Sequence, residues 1–154
     1  MGRYYTSGSG NFDGKFWFGV QPSDDPETVF GMREVDTDGS SYSDYETTDR
    51  RKVRSAIHKQ FDILGVPKEK RELKFNHGND IGAYVWDELQ DYFLTKDKEN
   101  CVDEVPYSVG NDGGVAYPIS REKELAAARL SLGLKILNEM NYDSKGVAFF
   151  NAEW

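Results

Sequence analysis

The sequence predicts an α+β fold, in which a small mixed or antiparallel sheet is built on the N- and C-terminal strands and packs against about three helices. Aromatic and β-branched residues are concentrated at both ends of the chain, in residues 14–21 and 147–154. Between them, three segments repeat apolar residues at helical spacing, and glycine and proline separate these segments. Because the 154 residues contain no linker or repeat, we expect a single domain spanning residues 1–154.

The N-terminal part is predicted to form a hairpin followed by a short helix. Residues 3–6 form its first strand. Residues 14–21 carry apolar side chains on both faces, so we expect this second strand to lie in the middle of the sheet. Asp25 then has the position of a helix N-cap, with Pro26 at the first helical position and Gly31 as the terminator.

The middle of the chain alternates between strand-like and helix-like patterns. Residues 36–40 have turn composition, and a strand is predicted at 41–47. A helix is expected from residue 48 or 49 to Leu64, then a short strand at 72–75 and a second helix at 81–94. These elements contribute one apolar face each to the predicted core.

The C-terminal part contains the longest helix. Before it, residues 105–109 and 115–119 form either a hairpin or a long ordered loop, whose two prolines favour the edge of a sheet. Ser120 is predicted to cap a helix that continues to about Met140 and is apolar over most of its circumference. A last strand at 147–154 is expected beside the opening strand, residues 14–21, which would join both ends of the chain in one sheet.

The composition restricts the classes of partner. Asp and Glu number 27 against 19 Lys and Arg, and the formal net charge of -8 disfavours nucleic acid as a partner. No apolar run reaches the roughly 20 residues of a membrane span, and the single cysteine, Cys101, excludes an intramolecular disulfide. We therefore expect a cytoplasmic protein without a membrane partner, and the sequence leaves homo-oligomer formation open.

No stretch contains a specific catalytic or cofactor-binding motif, and no cofactor is predicted. Asp24 and Asp25 could hold a metal or share a proton, but capping of the short helix explains both residues without a ligand. His58 and His77 lack further convergent ligands, so we favour ordinary, partly exposed histidines. Cys101 lies among acidic residues, which disfavours a thiolate nucleophile.

Basic side chains offer two candidates for contacting an anion. Arg50, Arg51 and Lys52, with Arg54, form the one basic cluster, for which a solvated helix face is favoured over a phosphate contact. Arg129 interrupts the apolar long helix, and a structural ion pair is favoured there over a ligand contact.

Both ends of the chain carry short segments that occur together, namely GRYY, GKFWFGVQ and SDD in the first 25 residues and ARLSLGLKIL and FNAE in the last 27. In these segments the chain resembles a family of short proteins, without an established activity, encoded by bacteriophages and environmental phage-like genomes. The resemblance implies a phage accessory protein that acts inside a bacterial cell. It implies no functional residues.

Three hypotheses for function follow. In the first, the protein is a non-enzymatic binding module that sequesters a small, nucleotide-like immune signal of the host, using aromatic stacking and a cationic contact. The alternative is an acidic inhibitor of a basic host protein, and the third is a metal-dependent enzyme using Asp24 or Asp25. The partner is accordingly a small molecule or a host protein. The candidate ligand-binding residues are Tyr4, Tyr5, Trp17, Gln21, Asp24, Asp25, Trp86 and Arg129.

Overall fold

The structure of the protein is a computed structural model that describes residues 3–17, 19–37, 41–73, 89–109 and 114–153. It has the predicted α+β architecture. The strands are β1 (Tyr4–Ser7), β2 (Gly14–Lys15), β3 (Arg33–Thr37), β4 (Tyr42–Thr47), β5 (Leu94–Thr95), β6 (Tyr107–Val109), β7 (Gly114–Pro118) and β8 (Ala148–Glu153). The helices are α1 (Asp25–Thr28), α2 (Arg50–Leu64), α3 (Gln90–Phe93) and α4 (Arg121–Tyr142).

The main sheet is antiparallel and has the strand order β2-β1-β8-β4-β3, whereas β5-β7-β6 form a smaller sheet. Both ends of the chain lie in the main sheet as predicted, but Tyr5 of β1 lies opposite Ala152 of β8, so β1 and not the segment 14–21 is the neighbour of the last strand. On its other side β8 pairs with β4, from Tyr42 opposite Glu153 to Thr47 opposite Ala148. The last strand is therefore the central strand of this sheet.

The prediction that residues 14–21 form the central strand is wrong. Of the described residues in this segment, only Gly14 and Lys15 are in a strand, and that strand lies at the edge of the sheet beside β1. The chain then turns, with the backbone N–H of Gln21 donating to the carbonyl of Trp17 over 2.8 Å and Gly19 at a φ of 76°. Apolar side chains at both odd and even positions can be buried by a turn that packs on the core as well as by a central strand, so this pattern did not distinguish the two.

Three smaller predictions also differ from the structure. β3 was not predicted beyond a turn at residues 36–40, because all five of its residues are exposed at the sheet edge and Val35 is the only apolar one among them. β7 is the middle strand of its sheet although it contains Pro118, which occupies the strand end opposite Leu94. Glu72 and Leu73 are not in a strand, and the rest of that predicted strand lies outside the described residues.

For residues 105–109 and 115–119, either a hairpin or a long ordered loop was predicted. The antiparallel pairing of β6 with β7 shows that the hairpin is the correct alternative. Of the predicted helix at 81–94, residues 81–88 lie outside the described part of the chain, and α3 forms its end. One core cluster joins side chains from Tyr5 to Ala152, and a single domain remains the prediction.

Both long helices follow the predicted patterns. Asp49 caps α2 by accepting the backbone N–H of Lys52, and Gly65 ends it in the left-handed conformation at a φ of 77°. Ser120 caps α4, whose backbone N–H at Lys123 donates to the Ser120 hydroxyl oxygen over 3.2 Å. These helices pack against each other, and apolar side chains from both enter the core with those of the sheet.

The two long helices run antiparallel. Near the start of α2, the Arg50 guanidinium donates to the side-chain oxygen of Asn141 near the end of α4. Further along, Ile57 of α2 lies beside Gly133 of α4. The residues of α4 before Gly133, including Arg129, therefore lie beside the C-terminal half of α2.

Two buried charges of α4 hold the loop between β1 and β2. The Lys135 ammonium, fully buried, donates to the carbonyl oxygen of Asp13 over 2.8 Å. The Glu139 carboxylate accepts the backbone N–H and the hydroxyl of Ser9 over 2.9 Å and 2.6 Å.

Within the described residues no helix has the length and hydropathy that a membrane span requires.

Candidate functional site

A cleft of about 730 Å³ lies between α1 and α2. One wall is the outward-facing side of α2, where residues recur every three or four positions and therefore share one face. The opposite wall is the C-terminal end of α1 with Val29, and Arg129 reaches the cleft from α4. The lining side chains used below are Val29, Arg51, Lys52, Ser55, Ala56 and Lys59. We call this cavity the α1–α2 cleft.

The α1–α2 cleft is cationic on a protein whose formal net charge is -8. Arg51, Lys52, Lys59 and Arg129 line it, and Asp49 supplies the single carboxylate of the lining within the described part of the chain. The Asp49 carboxylate already accepts the backbone N–H of Lys52 as the helix cap. Among the described residues, the three cations that α2 contributes to the cleft, Arg51, Lys52 and Lys59, make no ion pair. The cleft therefore favours an anion over a cation.

An ion pair between Asp25 and Arg129 joins α1 to α4 at the cleft. The Arg129 Nε and Nη2 atoms donate to the two carboxylate oxygens of Asp25 over 3.0 Å and 3.1 Å. Asp25 is fully buried, whereas the Arg129 side chain is 25% exposed. Burial raises the pKa of the Asp25 carboxyl, and the hydrogen bonds and charge of Arg129, with a smaller contribution from Gln21, oppose that rise.

This ion pair corrects the predicted role of Asp25. Asp24 and not Asp25 precedes α1, and Asp24 makes no side-chain capping hydrogen bond. Asp25 is the first helical residue, and its carboxylate is turned inward to Arg129. The favoured structural ion pair of Arg129 is thus confirmed, although its partner could not be named because Asp25 lies 104 positions away in the sequence.

Gln21 is brought to the same place by the turn after β2. Its side-chain oxygen accepts the backbone N–H of Trp17 over 3.3 Å, and its side chain is buried. The guanidinium of Arg3 holds the turn by donating to the backbone carbonyls of Trp17 and Gln21, over 3.2 Å and 2.6 Å, and to the hydroxyl of Ser23 over 2.9 Å. Gln21, Asp25 and Arg129 therefore form one buried polar group behind the cleft.

The aromatic candidates do not meet at the cleft. Tyr5 is buried and makes edge contacts with Phe16 and Phe150, whereas Tyr4, its neighbour on β1, is exposed on the opposite face. Trp17 packs against Phe93 and Tyr107, with ring centroids 6.2 Å and 5.4 Å away. Trp86 lies outside the described residues. The cleft lining contains no aromatic residue within the described part of the chain.

Comparisons with known proteins identify no relative: no family model matches the chain, and neither does a curated protein or a solved structure. The resemblance to phage-encoded proteins therefore remains a prediction.

The other candidates for chemistry have local partners. The His58 ring nitrogen lies 3.3 Å from the guanidinium of Arg71, which is itself paired with Asp62 at 2.6 Å. The Cys101 thiol donates to the carbonyl of Lys98 over 3.0 Å. His77 lies outside the described residues, and no group of three or more His, Cys, Asp or Glu residues forms a metal site within the described ranges.

The outer face of the main sheet is relevant to the second hypothesis, that of an acidic inhibitor of a basic host protein. Asp36 lies directly opposite Asp44, but Glu46 on the same strand is paired with Arg33 at 2.5 Å. A basic side chain thus interrupts the acidic residues of this face. The alternative remains a prediction.

Ser55, Lys59 and the residues of α1 that face them were not among the predicted site residues. Arg51, Ser55 and Lys59 are spaced by four, which places them on one polar side of α2, opposite the apolar line of Val53 and Ile57. That spacing could have identified one wall of a site. The other wall could not be predicted, because it depends on where α1 packs.

Proposed function

We propose that the protein is a binding module for a small anionic ligand, held in the α1–α2 cleft by the cations of α2 and by Arg129. The observation that carries the proposal is the convergence of four cationic side chains on one cavity of a protein with a net charge of -8. A volume of about 730 Å³ is within the range typical of small-molecule sites. Phosphate groups are well suited to such a site, because guanidinium and ammonium groups bind them with charge-assisted hydrogen bonds.

The proposal is for binding without catalysis. The carboxylates nearest the cleft are both engaged, Asp25 with Arg129 and Asp49 with the first turn of α2. A nucleotide-like immune signal of the host, the ligand of the first hypothesis, carries phosphate and belongs to the proposed class of ligand. Its recognition would depend on charge more than on base stacking, since Tyr4, Tyr5 and Trp17 lie away from the cleft.

Isothermal titration calorimetry with sodium tripolyphosphate at low ionic strength tests the proposal. We expect saturable binding, and at least a tenfold loss of affinity in Arg51→Gln/Lys52→Gln. We also expect binding to weaken as salt is added, because exposed charges are screened.

The matched control is Lys68→Gln/Lys70→Gln, which removes the same charge from an exposed turn outside the cleft. This variant should bind tripolyphosphate within about twofold of the parent chain. No saturable binding by the parent chain, or an equal loss in both double variants, would contradict the proposal.

A further inference from the structure

The cations of the α1–α2 cleft are divided between its two ends. Arg51 and Lys52 belong to the first turn of α2, whereas Lys59 is two turns further on. Eight residues separate Arg51 from Lys59, and at 1.5 Å per residue their backbones lie about 12 Å apart along the helix axis. One end of the cleft therefore carries two cations, and the other carries Lys59.

Arg129 belongs to the Lys59 end. Because α2 and α4 are antiparallel and Ile57 lies beside Gly133, the residue one turn before Gly133 lies beside the C-terminal half of α2. Arg129 Nε and Nη2 are bonded to Asp25, and Nη1 has no hydrogen bond within the described residues. The Arg129 side chain is 25% exposed, so Nη1 remains available to a ligand at that end.

As far as the described residues line it, the middle of the cleft is uncharged. Between the two cationic ends α2 presents the small side chains of Ser55 and Ala56, and Val29 faces them from the other wall. None of these three bears a charge, so an anionic group placed between the ends would lose its hydration without an ionic partner. Such desolvation is unfavourable for a charged group.

Resting on the proposed function, we infer that the ligand is elongated and carries two anionic groups, one for each end, joined by a less polar connection. A ligand of this class places one phosphate or carboxylate at Arg51 and Lys52 and the other at Lys59 and Arg129. A compact polyanion can satisfy only one end at a time. The two-ended arrangement therefore selects for the separation of the charges and not only for their number.

The test compares three phosphonates by calorimetry at low ionic strength. The first has two phosphonate groups joined by an octane chain, which when extended spans the same distance as the two cationic ends. The second is methylene-bisphosphonate, in which the groups are adjacent, and the third is octylphosphonate, with the same chain and one charge group. We expect the octane-linked compound to bind at least tenfold more tightly than either of the others.

Variants at the two ends complete the experiment. Lys59→Gln, an exposed position, and Arg51→Gln/Lys52→Gln should each lower the affinity for the octane-linked compound to about that of octylphosphonate. Lys68→Gln/Lys70→Gln should leave it unchanged, and melting temperatures verify that every variant is folded.

The outcomes separate this inference from the function on which it rests. Equal affinity for the adjacent and the octane-linked bisphosphonate, or no effect of Lys59→Gln, would overturn the two-ended ligand and leave anion binding intact. If none of the three compounds binds and tripolyphosphate also fails, the proposed function itself is wrong. Equal binding of octylphosphonate and the octane-linked compound would show that the chain and not the second charge is recognised.

Discussion

The Asp25 carboxylate is the most consequential single group near the cleft, because it is fully buried and its ionised form depends on Arg129. A buried charge without a partner is strongly unfavourable, whereas replacing a whole pair by neutral groups is much less so. The pair therefore has two roles in this fold. It fixes α1 against α4, and it holds Arg129 at one end of the cleft.

We predict that Arg129→Met lowers the free energy of unfolding by about 3 kcal/mol at neutral pH, because the Asp25 carboxylate loses its cation. The double variant Asp25→Asn/Arg129→Met should lose clearly less than Arg129→Met alone. Urea denaturation at pH 7 measures both. The single variant Asp25→Asn completes the comparison. If the loss of stability in the double variant equals the sum of the losses in the two single variants, the two residues are not coupled.

The stability of the Arg129→Met variant should depend on pH. Burial raises the pKa of Asp25 in the folded state, so the folded protein binds this proton more tightly than the unfolded chain. The contribution of Asp25 to stability therefore decreases as pH rises through its folded pKa. In Arg129→Met, where no guanidinium opposes the effect of burial, the loss of stability should be smaller near pH 4 than at pH 7.

At the scale of elements, the crossing of α2 and α4 depends on a glycine within a helix. A Cβ atom at Gly133 would lie 2.5 Å from Cε1 of Phe30 and 2.9 Å from Cγ1 of Ile57. Real contacts are longer than this, so any side chain here would push the helices or the Phe30 ring apart. Close packing thus explains why a residue with low helix propensity stands at this position in α4.

Gly133→Ala should accordingly destabilise the protein by about 1 to 3 kcal/mol through overpacking, although alanine at an open helix position would stabilise it by about 1 kcal/mol. Phe30→Leu provides the control, since a smaller side chain makes room for the new methyl group. We expect Gly133→Ala to cost less in the Phe30→Leu background. Thermal unfolding of the four proteins measures the coupling, and a higher melting temperature in Gly133→Ala alone would refute it.

The elements differ in how far sequence pattern predicts them. α2 and α4 were predicted closely because their apolar periodicity and their caps at Asp49 and Ser120 agree. The segment 14–21 was not, because its aromatic residues indicate burial but do not distinguish a strand from a turn that packs inward. β3 was missed for the opposite reason, since an exposed edge strand needs no apolar residues.

At the scale of the whole molecule, the sheet is built around its last strand. β8 has a partner on each side, whereas β2 and β3 are the two edges. Phe150 and Ala152 of β8 are buried under the helices, but every residue of β3 is exposed. The C-terminal strand is therefore expected to be among the last parts of the fold to open.

Native-state hydrogen exchange tests this expectation. The backbone amides of Phe150 and Ala152 should exchange only by global unfolding, together with those in the middle of α4, because both elements are buried. The amides of β3 should exchange much faster through local opening. Equal protection of β3 and β8, measured residue by residue by NMR, would contradict the central position of β8.

The sequence by itself determined the α+β class, the two long helices with their caps and the meeting of the chain ends in one sheet. These features depend on local periodicity, capping residues and aromatic content, which can be recognised within short windows. Only the tertiary structure decided that β8 is central, that Asp25 pairs with Arg129 and that the cations of α2 face α1 across a cleft. These depend on contacts between residues far apart in the chain, whose geometry is set by how the elements pack.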